Sequence, residues 1–191
     1  MPGCARNPKA AWVIMLLTAL NLAACSDPAA DSRFELQQAE ARWTNGRLNV
    51  ISEQKLVLSD EARNALTHGV PLSLVWELRL RNVSSQTRGA EESRHYEIRY
   101  LPLSDHYQLA YSDETPVKTF PRLRHVLAEL SRLNLSITTG VLPAGEYELL
   151  VRMRLDQGRM PPPMRLPVLL SSKWRHDSGW SSWPLKIEPE A

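Results

Sequence analysis

The sequence predicts a mainly β protein, a two-layer antiparallel β-sandwich of the Ig-like or Greek-key type carrying one or two short helices. Three observations lead there. Beyond residue 33 most apolar residues alternate with polar ones, the period of strands buried on one face. Turn residues separate these stretches at short intervals. The three- and four-residue spacing of a helix surfaces in only two places, and those helices together with Pro161-Pro162-Pro163 break the even strand spacing of a closed barrel.

The first strand is "FELQQAEARW". It runs into Asn45-Gly46, a two-residue hairpin turn because both residues tolerate positive φ. "RLNVI" and "QKLVL" continue as strands. In "LSDEARNALTHGVP" Ser59 caps a helix, Asp60 and Glu61 suit its positive end, and Gly69 and Pro71 stop it. Adjacent helical acids do not face each other, so Asp60 and Glu61 are helix-end acids rather than a catalytic pair. "PLSLVWELRLRN" is the clearest strand, with Leu72, Leu74, Trp76, Leu78 and Leu80 on one face and Ser73, Glu77, Arg79 and Arg81 on the other.

After the polar loop "NVSSQTRGAEES", "RHYEIRYL" and "HYQLAY" align Tyr96, Ile98 and Tyr100 with Tyr107, Leu109 and Tyr111 across a tight "SD" turn. Leu123, Val126, Leu127, Leu130 and Leu133 then follow helical spacing, predicting an amphipathic helix of about three turns that covers one face of a sheet, with a basic helix lying on a membrane as the alternative. "LSITT" and "GEYELLVRMRLD" return to strands. The three prolines cannot donate to a ladder and read as an edge or polyproline connector, with "MRLPVLL" as a further strand. "KWRHDSGWSSWPLKI" ends in the last strand. Neither a repeat nor a second domain is indicated, and the β-rich domain is expected over residues 33–188.

The start of the chain is of another kind. Arg6 and Lys9 precede an uncharged run, Ala10 to Leu22. A basic start, a short apolar run and small residues make a secretory signal peptide, too short to span a bilayer as a lasting anchor. Leu22-Ala23-Ala24-Cys25 resembles the bacterial lipobox, in which cleavage precedes the cysteine and lipid is attached to it. The alternative is an ordinary signal peptide with a cysteine at its end by chance. The lipobox reading makes residues 1–24 a leader, Cys25 the lipid-attachment site and residues 25–32 a tether. Cys4 then leaves with the leader, so no thiol remains for a disulfide, zinc site or nucleophile. The location expected is the periplasmic side of the cell envelope, in the outer rather than the inner membrane because Ser26 follows the cysteine where aspartate would favour retention.

The whole chain has 23 Lys+Arg against 21 Asp+Glu. Loss of Arg6 and Lys9 balances them. A neutral exported domain with interleaved charges lacks the clustered positive field of a nucleic-acid binder, and no nucleic-acid partner is expected.

No metal spacing links His68, His95, His106, His125 and His176, and no nucleophile elbow or phosphate loop occurs. No catalytic residue, metal site or cofactor is therefore predicted. Asp177-Ser178-Gly179 reads as a turn. The candidate binding surface is the aromatic C-terminus, Trp174, Trp180 and Trp183, joined by Arg154 and Asp156. Tryptophan is equally a core residue. On the strand reading Arg152, Arg154 and Asp156 share one face, where Asp156 accepts an arginine fork or caps the Gln157-Gly158 turn. A docking surface is the alternative.

"LSDEARNALTHGVPL", "YEIRYLPLSDHYQLAY", "YELLVRMRLDQGRMPPPMRLP" and "WRHDSGWSSWPL" resemble domain-of-unknown-function family 4390, found in exported proteins of Gram-negative bacteria. The resemblance covers about residues 34–187. Its most specific part is Arg152-Met153-Arg154-Leu155-Asp156 with Pro161-Pro162-Pro163 and the tryptophan-rich end. The family has no established activity, so no catalytic residue carries over. Some members are encoded beside a sensor histidine kinase, which implies a link to envelope signalling. Two departures stand out: the loop "NVSSQTRGAEES" is polar where relatives are often rich in Trp and Arg, and a lipobox stands where many members have a plain signal peptide.

The function expected is thus a non-enzymatic lipoprotein, an interaction or accessory module held to a membrane through Cys25 and facing a protein partner in the envelope. Two alternatives stand beside it. One is a binder of a small apolar ligand between the sheet and helix 119–133. The other is a hydrolase using His95, His106 or His176.

Overall fold

The computed structural model describes residues 34–111 and 117–188. The expected leader and tether, with Cys25, lie outside the described residues. Among the described residues nine strands form two antiparallel sheets. The small sheet has the order β1 (Phe34–Thr44), β2 (Arg47–Leu56), β7 (Arg132–Thr138). The large sheet has the order β6 (Lys118–Phe120), β5 (His106–Tyr111), β4 (Arg88–Leu101), β3 (Leu72–Asn82), β8 (Gly145–Leu155), β9 (Ser181–Ile187). Strands β3, β4 and β5 follow one another as a meander, and β8 returns beside β3. That arrangement, 4-1-2-3, is a Greek key, and the fold is the two-layer sandwich the sequence predicts.

The register follows from the turns and the alternation. Asn45 and Gly46 both take positive φ, 51° and 75°, so β1 folds back with Thr44 opposite Arg47 in the geometry that matches strand twist. On β3, Leu72, Leu74, Trp76, Leu78 and Leu80 are all fully buried. On β8, Tyr147, Leu149, Val151, Met153 and Leu155 supply the neighbouring inward face. Leu48 and Val50 of β2 close the core from the small sheet. The alternation of β2 also turns Ser52 and Gln54 inward, and both are buried. Each finds a partner: Ser52 Oγ accepts the indole N–H of Trp76 at 3.1 Å, and Gln54 donates to the carbonyl of Leu130. A buried indole N–H needs such an acceptor, and the Trp76–Ser52 bond ties one sheet to the other.

Among the described residues three α-helices accompany the sheets. Helix α1 (Asp60–Thr67) begins where Ser59 Oγ accepts the N–H of Ala62 at 3.1 Å and ends before Gly69 at φ 87°. Ala62 and Leu66, four apart, face the core. Helix α2 (Leu123–Leu130) buries Val126 and Leu130. It is shorter than its periodicity suggests, because Lys118–Phe120 pair as β6 and Leu133 belongs to β7.

The third helix departs from expectation. "MRLPVLL" is not a strand and the prolines are not a connector: Pro162–Leu170 is α3, with prolines at its first two positions. A proline at a helix start gives up an N–H that has no intrahelical partner anyway, and its φ is already helical. Met164 and Val168, four apart, pack inward. That is helical spacing, which the alternating Met164, Leu166, Val168 and Leu170 concealed.

Trp76→Ala is expected to cost about 3–5 kcal/mol in chemical denaturation, the range for a large buried aromatic. Ser52→Ala is expected to cost about 1–3 kcal/mol, because the indole N–H stays buried without an acceptor. Equal, near-zero losses would contradict the inward placement of both.

Candidate functional site

The alternation that turns Leu74, Trp76 and Leu78 to the core turns Val75, Glu77 and Arg79 to the other face, where Val75 is itself buried. The β3–β8 register sets Arg152 opposite Glu77 and Arg154 opposite Val75. Glu77 lies within reach of both guanidinium groups. It accepts Arg154 Nε at 3.0 Å and Nη2 at 3.2 Å, a bidentate fork, while Arg152 Nη1 stands 4.0 Å away. Farther along, Arg79 donates to Glu91 of β4 at 2.8 Å and Arg81 pairs with Glu148 of β8. The outer face of the large sheet is therefore a band of alternating charge.

The segment after the last 3-10 turn closes one side of this band. The N–H of Leu155 bonds the carbonyl of His176 at 2.8 Å, and that of Ser178 bonds the carbonyl of Met153 at 2.9 Å. Ser178 Oγ accepts a bond from the N–H of Met153 at 2.9 Å. Asp177 thereby meets the guanidinium of Arg152, whose Nε reaches Oδ1 at 2.8 Å and whose Nη2 reaches Oδ2. Burial raises the carboxyl pKa of Asp177. The Arg152 fork, the N–H of Gly179 and the charge of Arg154 outweigh that and hold it below its ordinary value. Asp177, in turn, is the main cause of the raised pKa of Arg152. Gly179 takes φ 68°, the left-handed turn geometry suited to glycine, and Asp177-Ser178-Gly179 is a turn. Trp180, half-buried, lies against this surface, with the Arg79 guanidinium 4.4 Å and that of Arg152 5.8 Å from its ring centre, both within cation–π range.

Asp156 follows β8 directly, with its own N–H bonded to the carbonyl of Ser73 at 2.7 Å. Its Oδ1 accepts the N–H of Gly158 at 3.1 Å and so caps the 3-10 turn Gln157–Arg159. The fork of Arg154 goes to Glu77 instead; its Nη1 is 3.9 Å from Asp156. Arg159 lies 3.6 Å and His95 Nδ1 4.0 Å from the same carboxylate.

His176 lies beneath, 1% exposed. Its Nε2 accepts the N–H of Ser59 at 2.9 Å, and its ring packs 5.3 Å from that of Phe34. Accepting at Nε2 places the proton of the neutral ring on Nδ1. Desolvation pushes its pKa below the ordinary value.

Between these elements runs a groove of about 410 Å³ lined by Arg152, Arg154, Asp156, Arg175, Asp177 and Leu169, among others. The candidate residues thus divide. Arg154 and Asp156 share the groove, Trp180 stands beside it, Trp174 is buried in the core, and Trp183 is half-buried against the core. The three tryptophans do not line one surface, because the chain turns between them. His95 and His106 do not meet: β4 pairs His106 with Leu101, six residues beyond His95, about 20 Å along a strand. Among the described residues no three His, Cys, Asp or Glu side chains are grouped to hold a metal. Between α2 and the small sheet an open groove of about 570 Å³ is lined by Glu53, Gln54, Leu56, Arg124, Leu127 and Arg132, among others. Sequence reasoning misses Glu77 and Asp177 as partners of the arginines, since strand order decides who faces Glu77.

The model of a family described as Domain of unknown function (DUF4390) matches residues 31–184. No curated protein and no solved structure matches the chain.

If Asp156 is a cap, Asp156→Ala should cost about 1 kcal/mol of stability and Asp156→Asn only a few tenths, since asparagine caps as well as aspartate; equal losses for both would instead assign the effect to charge. His176 sets a pH dependence. Its folded pKa lies below 6.5, so the unfolded chain binds a proton that the native chain does not, and stability falls as pH drops from about 6.5 toward the lower folded value. Thermal unfolding from pH 7.5 down to 5 should show this fall in the wild type and a flatter profile in His176→Gln.

Proposed function

We propose that this chain, which belongs to the DUF4390 family, is a lipid-anchored, non-enzymatic accessory module of the bacterial cell envelope. The observation that carries the reading is Leu22-Ala23-Ala24-Cys25 after a basic start and a short apolar run. Lipid on Cys25 holds the domain on the periplasmic side, and Ser26 directs it to the outer membrane. Two features of the domain support a binding rather than a chemical role. On the outer face of the large sheet, Glu77, Glu91, Glu148 and Asp177 each pair with an arginine, whereas a general base needs a carboxylate free to take a proton. Trp180 and the groove beside it offer an aromatic and arginine-rich surface of the sort that protein partners use.

The test is metabolic labelling with a palmitate analogue in cells. The wild-type chain is expected to incorporate the label, to be cleaved before Cys25 and to fractionate with the outer membrane. Cys25→Ser is expected to incorporate none and to remain unprocessed or soluble. Labelling of the Cys25→Ser variant, or a wild-type chain without label, would overturn the reading.

A further inference from the structure

Helix α3 presents to solvent what a helix in a sandwich ordinarily hides. Leu166, Leu169 and Leu170 are 71%, 55% and 85% exposed. Positions i, i+3 and i+4 lie on one helix face, so the three leucines form a single apolar stripe, opposite the inward Met164 and Val168. Scattered exposed leucines are ordinary, whereas a contiguous apolar face marks an interaction site.

We infer that this stripe is a membrane-contact face, seated in the surface of the bilayer that holds the lipid on Cys25. The inference rests on the lipid anchor proposed above. Two further observations select the membrane as the occupant. The first is charge. Residues 159–175 carry Arg159, Arg165, Lys173 and Arg175 and no carboxylate. Arg159 and Lys173 are partnered by Asp156 and Glu61 from neighbouring segments, and Arg165 donates to the carbonyl of Met160. Exposed Arg165 and Arg175 lie in and just after the helix that carries the leucine face, and basic residues near an apolar helix face are drawn to an anionic bilayer surface.

The second is position. Leu169 lines the same groove as His176, and the His176 ring packs on Phe34, the first residue of β1. The stripe thus lies at the end of the sandwich where the chain enters from its tether. Phe34 is nine residues after Cys25, a chain that reaches at most about 30 Å. The opposite end, where Gly140 bonds Gly46 and Val141 is exposed, is the eleven residues of β1 away, about 36 Å. A short tether keeps the bilayer at a high effective concentration for the near end and not for the far one. A nine-residue helix is about 13 Å long and cannot span a bilayer; it lies on it.

The test uses the full chain, purified as the acylated protein and reconstituted into vesicles of phosphatidylethanolamine and phosphatidylglycerol. An environment-sensitive fluorophore is placed on Leu169→Cys, on Leu166→Cys as a second probe of the stripe, and on Val141→Cys at the far end; all three positions are exposed, so the fold should tolerate the change. With spin-labelled lipid in the vesicles, the probes at 166 and 169 are expected to lose most of their emission while the probe at 141 keeps it. Equal quenching at both ends would overturn the inference. So would protection at 169 that persists in detergent and rises with protein concentration, which assigns the stripe to a second copy. Flotation and intact mass separate the two levels. A chain that carries acyl groups and floats but shows no quenching at 166 and 169 overturns the membrane face alone, whereas a chain without acyl groups that does not float overturns the anchor and the face together.

Discussion

The domain depends on one strand that is paired on both sides and buried along one face. β3 bonds to β4 and β8, and its five alternate apolar residues, Leu72 to Leu80, are inaccessible to water. No cysteine lies among the described residues, so no disulfide restrains them. Burial of apolar surface, worth about 25 cal/mol per Å², is the dominant favourable term. Because the side-chain period of a strand is two, slipping β3 by one residue would exchange Trp76 for Glu77 in the core. The register is therefore fixed by the core, and the bond from Trp76 to Ser52 ties the second sheet to it.

The polar face is the consequence of that same register. Glu77 stands between Arg152 and Arg154 because Trp76 and Leu78 point the other way, not because the charges found each other first. Pairs as exposed as Arg79–Glu91, with both side chains about half accessible, contribute little to stability. Those around Glu77 and Asp177 are more sheltered and join the segment 175–180 to the sheet. The core thus places the side chains from which the groove is made, and the tryptophan-rich end is shared out accordingly: Trp174 goes inside, Trp183 against the core, and Trp180 onto the arginines.

Much of this was legible in the sequence where one local signal sufficed. Asn45-Gly46, the Ser59 cap and the alternation of β3, β4 and β8 each depend on neighbours in the chain. Where tertiary context decides, the sequence misled. Ser52 and Gln54 interrupt the apolar pattern of β2 and made one strand look like two, since their partners, Trp76 and Leu130, are remote. Pro161 to Pro163 suggested a connector, and the alternate apolar residues after them a strand, although proline suits a helix start and Met164 with Val168 has helical spacing. His176 resembled a candidate base, yet it is a buried acceptor for the Ser59 amide. The forks of Arg152 and Arg154 could not be assigned, because strand order across the sheet is not written in local pattern. Family membership was legible from the motifs around Arg152–Asp156 and the tryptophan-rich end, and the family match over residues 31–184 agrees.

β3 with β8 is the unit on which the rest is built, and native-state hydrogen exchange measures that directly. The amides of Trp76, Leu78, Arg152 and Arg154 should exchange only by global unfolding, with opening free energies equal to the total stability from denaturant titration. The amides of α3, which packs inward through Met164 and Val168, should open at lower free energy. A β3 amide that exchanges by local opening, while amides of the small sheet or of α3 are the most protected, would contradict the account.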